Sequence, residues 1–296
     1  MRKKPRNDCK LRKTLLASSC KEKQNSLSLS HIAQGENAMA TRTKVWDQKI
    51  KNVVRKQLLK KRGRPFRTAL FMPADTAYCV EEAKNSGMIN DETELILVDR
   101  DSTTLSLGYH RCVYALDHND EYIQLRRGKV EDVLEELRPD DVAVTDGWCD
   151  YLEFLYLDTC GELSPTMVDA LKTAVENKVI TEKTTIAFTF ATAQRMWDVS
   201  GWTARHFTKE NVGEANNLLK FSKDDKRNTV CQIISNTIRH AIGRPDAEIA
   251  FGCAYKERGN GFPMMTAIIL GKGYKHETEN PYADLGYNGN HSHLEP

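Results

Sequence analysis

Short apolar runs alternate with amphipathic stretches from about residue 66 to residue 270. Arg67–Met72 and Glu94–Val98 read as buried strands, and the segment between them carries a helical period over Ala74–Ser86, with Gly87 at the position of a C-terminal cap. A helix around Thr103–Arg111, a strand over Glu121–Leu125 and a helix over Val130–Leu137, ended by Pro139, continue the alternation. Asp141–Thr145 and Leu152–Leu157 are both strand candidates. Pro165–Lys178 is helical, with Met167, Leu171 and Val175 on one face, and Thr184–Phe190 is rich in β-formers.

The rhythm then changes. Arg227–Ile242 places Val230, Ile233, Ile234, Ile238 and Ala241 on one helical face, and Glu248–Lys256 and Pro263–Leu270 flank the turn signal Arg258-Gly259-Asn260-Gly261. Repeated strand–helix units closed by a hairpin predict an α/β fold: a Rossmann-like, mainly parallel sheet with a C-terminal antiparallel β-hairpin and helices on both faces.

Outside this body the pattern is weaker. Residues 1–40 are polar, rich in Lys, Ser, Asn and Gln, and predict disorder. Met39 stands just before the organised region, so residues 1–38 are open to reading as an upstream extension of the frame. Within 41–64, Val45–Arg62 sets Trp46, Ile50, Val53, Val54 and Leu58 at helical spacing with cations on the other face, and Gly63-Arg64-Pro65 stops the helix. The α/β domain is expected over 65–273 and a polar tail over 274–296.

The formal net charge of +2 selects no partner by itself, but its distribution is uneven. Arg2, Lys3, Lys4, Arg6, Lys10, Arg12 and Lys13 open the chain, and a second basic series runs from Lys49 to Arg67. Both are able to contact a nucleic-acid backbone, although a solvated helix face is the simpler use of the second. The eight cysteines have no Cys-x-x-Cys spacing and the histidines no ligand spacing, so neither a disulfide framework nor a metal site is expected. No apolar run reaches membrane-spanning length and no secretory signal is evident, which predicts an intracellular protein with reduced thiols.

Two strands about two dozen residues apart, the second closing on Asp99, have the form of a nucleotide-binding βαβ unit. Where such a unit turns on glycines, this chain has Met72-Pro73-Ala74-Asp75-Thr76-Ala77. The order of elements over Phe66–Gly271 resembles the class I S-adenosylmethionine-dependent methyltransferases, whose Rossmann-like sheet also ends in an antiparallel hairpin strand. That resemblance implies S-adenosylmethionine as cofactor. It aligns Pro73, Ala74 and Asp75 with the turn facing the methionine moiety, Asp99 with the acid on the ribose hydroxyls, and Glu131 and Asp132 with the acid beside the adenine. Asp158-Thr159-Cys160-Gly161 falls where substrate-facing residues gather, which makes Asp158 the candidate catalytic residue. Neither an Asn-Pro-Pro-Tyr or Asp-Pro-Pro-Tyr motif nor a Pro-Cys pair is present, so base-specific DNA methylation is not implied.

Each residue has a plainer reading. Asp99 can accept two hydrogen bonds from a diol, or can serve as a turn former beside a helix cap at Asp101. Asp75 fits the cleft, but fits a cap on the backbone near Tyr78 better. Cys160 has no His close in sequence to activate it. Asp146-Gly147-Trp148 and Tyr151 suit a pocket rim or a turn, and Arg195 suits an anion contact or solvent. Trp197–Lys220 is long enough for a lid. The expected function is a methyltransferase-like protein of unassigned acceptor, with nucleic acid preferred. The alternatives are a noncatalytic nucleic-acid or protein-binding module that keeps the fold without the cofactor turn, and an enzyme using another nucleotide on the same sheet.

Overall fold

A computed structural model of the chain describes residues 49–143, 149–159, 161–191, 223–256 and 263–276. Backbone contacts divide the chain into Met1–Asp47 and Gln48–Pro296, and the architecture below is that of the second unit. The expectations for residues 1–40, Trp46, Asp146-Gly147-Trp148, Cys160, Arg195, the Trp197–Lys220 connection and the Arg258–Gly261 turn lie outside the described residues.

The body begins with helix α1 (Lys49–Leu58), a short strand β1 (Lys61–Arg62), strand β2 (Thr68–Phe71) and helix α2 (Tyr78–Asn85). Strand β3 (Glu94–Asp99) leads to helix α3 (Ser102–His110), which continues as one π-helical turn over Arg111–Ala115. Then come β4 (Ile123–Arg127), α4 (Val130–Glu136), the short helix α5 (Pro139–Val142), β5 (Phe154–Asp158), α6 (Pro165–Glu176) and β6 (Thr185–Ala191). Helix α7 (Lys223–Ala241), strands β7 (Ile249–Lys256) and β8 (Pro263–Ile269), and a short β9 (Lys275–His276) complete it.

Seven strands form one sheet in the order β4-β3-β2-β5-β6-β8-β7. Pairing is parallel from β4 to β6, whereas β8 is antiparallel to both β6 and β7. Taken in chain order, the six parallel strands have the Rossmann order 3-2-1-4-5-6, with the antiparallel β8 inserted between the last two. This is the Rossmann-like arrangement expected from the sequence: a mainly parallel sheet ending in an antiparallel hairpin.

Alternation along the strands builds two cores. Leu70, Ile96, Leu155, Leu157, Ile186 and Phe188 face α4, α6 and α7. Ala69, Phe71, Leu95, Leu97, Phe154 and Tyr156 face α1, α2 and α3. With both faces covered, β6 is buried at every position, and its sequence shows an unbroken apolar and Thr run. Each large apolar side chain so buried contributes about 1.5–3 kcal/mol.

Three elements differ from the sequence reading. Asp141 belongs to α5, because Pro139 starts a helical turn and the Asp141 carboxylate accepts from the Arg138 backbone N–H at 3.0 Å. The helix expected from Ala74 begins only at Tyr78. Tyr274, where a tail was expected, packs on Phe66 at 4.8 Å between ring centroids, and β9 pairs with β1, so the fold extends through His276.

A side chain at Gly108 of α3 would meet the Ala74 carbonyl oxygen at 2.7 Å and Pro73 Cγ at 3.0 Å. The helix and the turn after β2 therefore touch through bare backbone. Gly108→Ala is expected to lower unfolding free energy in urea by about 1–3 kcal/mol, the cost of overpacking a close contact. Full wild-type stability in that variant would contradict the close approach.

Candidate functional site

The strand order reverses between β2 and β5. From β2 the chain moves outward through β3 and β4, then returns to build β5 and β6 on the other side. In such sheets the diverging connections leave a crevice at the carboxyl ends of the two central strands. The turn after β2 and the Asp158-Thr159 exit of β5 stand at that edge.

The turn is built without glycine. Ala74 and Ala77 adopt φ of +52° and +46°, the left-handed conformation that costs a residue with a Cβ about 1–2 kcal/mol. Pro73 is buried, Ala74 is exposed and Asp75 is half-exposed. Asp75 does not cap α2 as expected: the N-cap is Ala77, with no side-chain hydrogen bond. The buried Cys79 thiol instead donates to the Met72 carbonyl at 3.6 Å, tying the helix to the strand end.

At the end of β3, Asp99 Oδ1 accepts the Asp101 backbone N–H at 2.9 Å, and the Asp101 carboxylate caps α3 by accepting from Thr104 N at 2.7 Å. Asp99 therefore makes the local turn that the plainer reading predicted, and uses one of its two oxygens for it. Glu131, half-exposed, and Asp132, exposed, occupy the first turn of α4, where acids favour the helix N-terminus. The topology brings the turn after β2, Asp99 and the acids of α4 along one sheet edge, since β2, β3 and β4 are parallel neighbours.

Asp158 is placed differently from expectation. Its side chain is almost fully buried beneath α1, paired with Lys51 Nζ at 2.8 Å and hydrogen-bonded to the Arg55 guanidinium. Arg55 also donates to Asn52 Oδ1 at 3.2 Å and lies over the Tyr78 ring, 5.8 Å from its centroid. Burial alone would push the Asp158 carboxyl up, but the charges of Arg55 and Lys51 outweigh it and hold the group at about 2. An acid so strong is ionised throughout the neutral range and is a poor proton acceptor. Beside it the Tyr156 hydroxyl is fully buried and pushed well above its ordinary value, mainly by burial and then by Asp158.

The sequence reading missed Lys51 and Arg55, which it placed on a solvated face. The signal was spacing. Positions 51, 54, 55 and 58 follow the i, i+3, i+4, i+7 rule, so the two cations share their stripe with the buried Val54 and Leu58, while Val53, assigned to the apolar face, is 44% exposed. Thr159 donates to the Thr189 carbonyl at 3.2 Å and so links the exit of β5 to β6. Cys79, Cys112 and Cys149 are buried free thiols. Among the described residues there is no cluster of metal-ligating side chains, and no helix is long and apolar enough to cross a membrane.

No protein-family model and no curated protein matches the sequence. Similar solved structures include precorrin-6y C5,15-methyltransferase from Geobacter metallireducens, at 8% identity and a TM-score of 0.36, covering 75% of this chain and 87% of that one. The O-methyltransferase TomG from Streptomyces achromogenes, in complex with S-adenosylmethionine, is similar at 10% identity and a TM-score of 0.41, covering 75% and 78%. A fibrillarin pre-rRNA processing protein from Methanococcus jannaschii is similar at 10% identity and a TM-score of 0.40, covering 73% and 70%. Likeness at this level adds nothing to what the strand order already establishes.

Replacing Asp158 with Asn removes the anion and leaves two buried cations facing each other. Urea unfolding at pH 7 is expected to show a loss of about 3–5 kcal/mol. The wild-type carboxyl titrates lower when folded, at about 2 against 3.8, so its contribution is complete above pH 3.8 and fades as pH falls toward 2. The gap between wild type and Asp158→Asn therefore narrows over that window. A gap that stays constant down to pH 2 would contradict the pairing.

Proposed function

We propose that this chain is an S-adenosylmethionine-dependent methyltransferase-like protein, with nucleic acid as its acceptor class. The observation that carries the reading is the reversal of strand order between β2 and β5, with the Met72–Ala77 turn, Asp99 and the α4 acids along the same carboxyl edge. The residues fit the cofactor. Ala74 and Ala77 supply, at a cost in strain, the left-handed turn that glycines usually provide, and Asp99 keeps one carboxylate oxygen without a hydrogen bond among the described residues. Pro73, Ala74 and Asp75 would face the methionine moiety, Asp99 the ribose, and Glu131 and Asp132 the adenine.

When bound, the cofactor supplies an electrophilic methyl group. Transfer of that group needs alignment and exclusion of water more than proton movement. Asp158 suits this as a positioning residue: ionised, and holding Lys51 and Arg55, it fixes α1 beside the exit of β5. The nucleic-acid assignment rests on the basic series at the N-terminus and from Lys49 to Arg67, less the two cations that Asp158 occupies.

A second reading, a noncatalytic nucleic-acid or protein-binding module on the same fold, draws support from the Asp99 bond to Asp101 and from the proline in the turn. Titration calorimetry separates the two. Wild-type protein is expected to bind both S-adenosylmethionine and S-adenosylhomocysteine, and Asp99→Ala to weaken both by about ten- to a hundredfold, the worth of a charged hydrogen bond. Absence of heat with either ligand would leave the binding module.

A further inference from the structure

The amino-terminal ends of β2, β5 and β6 and the carboxyl end of the antiparallel β8 meet at the sheet edge opposite the crevice. Exposed cations collect there. Arg64 precedes β2, Lys183 precedes β6, and Lys272 and Lys275 follow β8, all with exposed side chains, while Arg67 is half-buried. Arg64 is held in place: it forks onto the buried Glu153 and lies over the Tyr274 ring at 5.9 Å. Lys183 Nζ lies over the half-buried Tyr151 ring at 5.9 Å. With Glu153 paired to Arg64 and Glu182 paired to Lys272 at 3.3 Å, Asp150 and the half-exposed Glu94 at the start of β3 are the other carboxylates of this stretch, against Arg67, Lys183 and Lys275, among the described residues.

The ribbon of β1 and β9 adds a second observation. Its backbone register sets Lys61 opposite His276 and Arg62 opposite Lys275, and neither strand contains an acid. Two cations at directly opposed register positions, as Arg62 and Lys275 are, disfavour a strand pair, and a polyanion laid along the ribbon removes that penalty. The basic stretch is also bounded: exposed Asp91 and Glu92 precede β3 on one flank, and exposed Asp246 and Glu248 precede β7 on the other. Four strands at about 4.8 Å spacing give a basic strip roughly 15 Å across.

We infer that this edge, formed by the β1–β9 ribbon with Lys183, Lys272 and Lys275, is a docking surface for single-stranded nucleic acid. A narrow cationic strip with a half-buried tyrosine under one of its lysines matches how single strands are held, by phosphate contacts along the backbone beside aromatic rings. A duplex needs a broader footprint, and a purely acidic peptide has no use for the ring. The inference rests on the nucleic-acid part of the reading above and is independent of cofactor binding. It places acceptor docking on the edge opposite the crevice, so that a long strand has to wrap the domain to reach both.

Fluorescence anisotropy with a labelled oligouridine of about 20 nucleotides, titrated at several salt concentrations, tests it. Wild type is expected to bind with an affinity that falls as salt rises. The variant Lys183→Ala/Lys272→Ala/Lys275→Ala should bind at least about tenfold more weakly and lower the log–log salt slope by about 2, at roughly 0.7 for each lost phosphate contact. Lys275→Ala alone, a change at an exposed side chain, should lower it by about 0.7, and Lys172→Ala, at an exposed position of α6 outside both the strip and the Lys49–Arg67 series, should leave it unchanged. S-adenosylmethionine binding measured in the same variants should not move, which keeps this test apart from the cofactor reading. No binding by wild type, an unchanged slope in the triple and Lys275 variants, or equal competition by polyglutamate would each overturn the inference.

Discussion

A carboxylate that ends a buried strand has to be met by positive charge, and in this chain both cations come from one helix far away in sequence. Lys51 and Arg55 reach Asp158 from the same face of α1, so a single electrostatic requirement fixes how α1 lies over the end of β5. Desolvating three charged groups is expensive, and attraction between them repays it only when the geometry is good. Asn52 and Tyr78 improve that geometry by engaging the guanidinium from its other sides. Val54 and Leu58 follow from this placement: with the cations anchored, they fall into the core with Phe71 and Tyr156. The helix that looks in sequence like a free basic element is structurally the cover of the sheet.

A related economy shapes the turn after β2. Close approach there needs one position without a side chain and a backbone able to turn left-handed. Nucleotide-binding turns usually obtain both from their own glycines. Here the duties are divided: Ala74 and Ala77 take the left-handed conformations, and Gly108 on α3 provides the missing side chain. The strain persists because packing holds the turn on both sides of the exposed Ala74, with Pro73 and Ala77 both buried and Gly108 against the Ala74 carbonyl. Pro73 therefore does not by itself argue against a cofactor turn, because the left-handed backbone is supplied by Ala74 and Ala77 and the missing side chain by Gly108 of α3.

Periodicity carried most of the fold. The apolar runs at β2, β3, β5 and β6 are continuous because those strands are buried on both faces, and the stripe on α6 falls on Met167 and Leu171 as its spacing implies. Errors arose where a local pattern served two masters. Asp141 lies in an apolar stretch but follows a proline that starts a helical turn, and Asp75 has the chemistry of a cap in a turn whose left-handed residues set the helix start at Tyr78. The site was legible as a list of strand ends but not as a set of partners. Nothing in the neighbourhood of Asp158 announces residues 51 and 55, and nothing near Arg64 announces Glu153, since both pairings span long stretches of sequence.

Each edge of the sheet neutralises one buried carboxylate and leaves other charges in solvent. At the carboxyl edge Lys51 and Arg55 of α1 are consumed internally, and charges of both signs are left exposed or half-exposed after β3 and β4, with Asp99, Asp101 and Asp132 beside Arg100, Arg127 and Lys129. At the amino edge the buried carboxylate Glu153 is neutralised by Arg64 and accepts from the Arg67 backbone N–H at 2.7 Å, and the lysines stay in solvent. A Rossmann-type sheet makes the first edge a place for a small polar ligand whatever its surface charge, because the diverging connections create the crevice. It makes no demand on the second edge. Arg64 there meets the buried Glu153 and Lys272 pairs with Glu182, but Lys183 and Lys275 neutralise no carboxylate among the described residues. Charge at Lys183 and Lys275 that neutralises nothing within the described fold is left for what it meets outside the molecule.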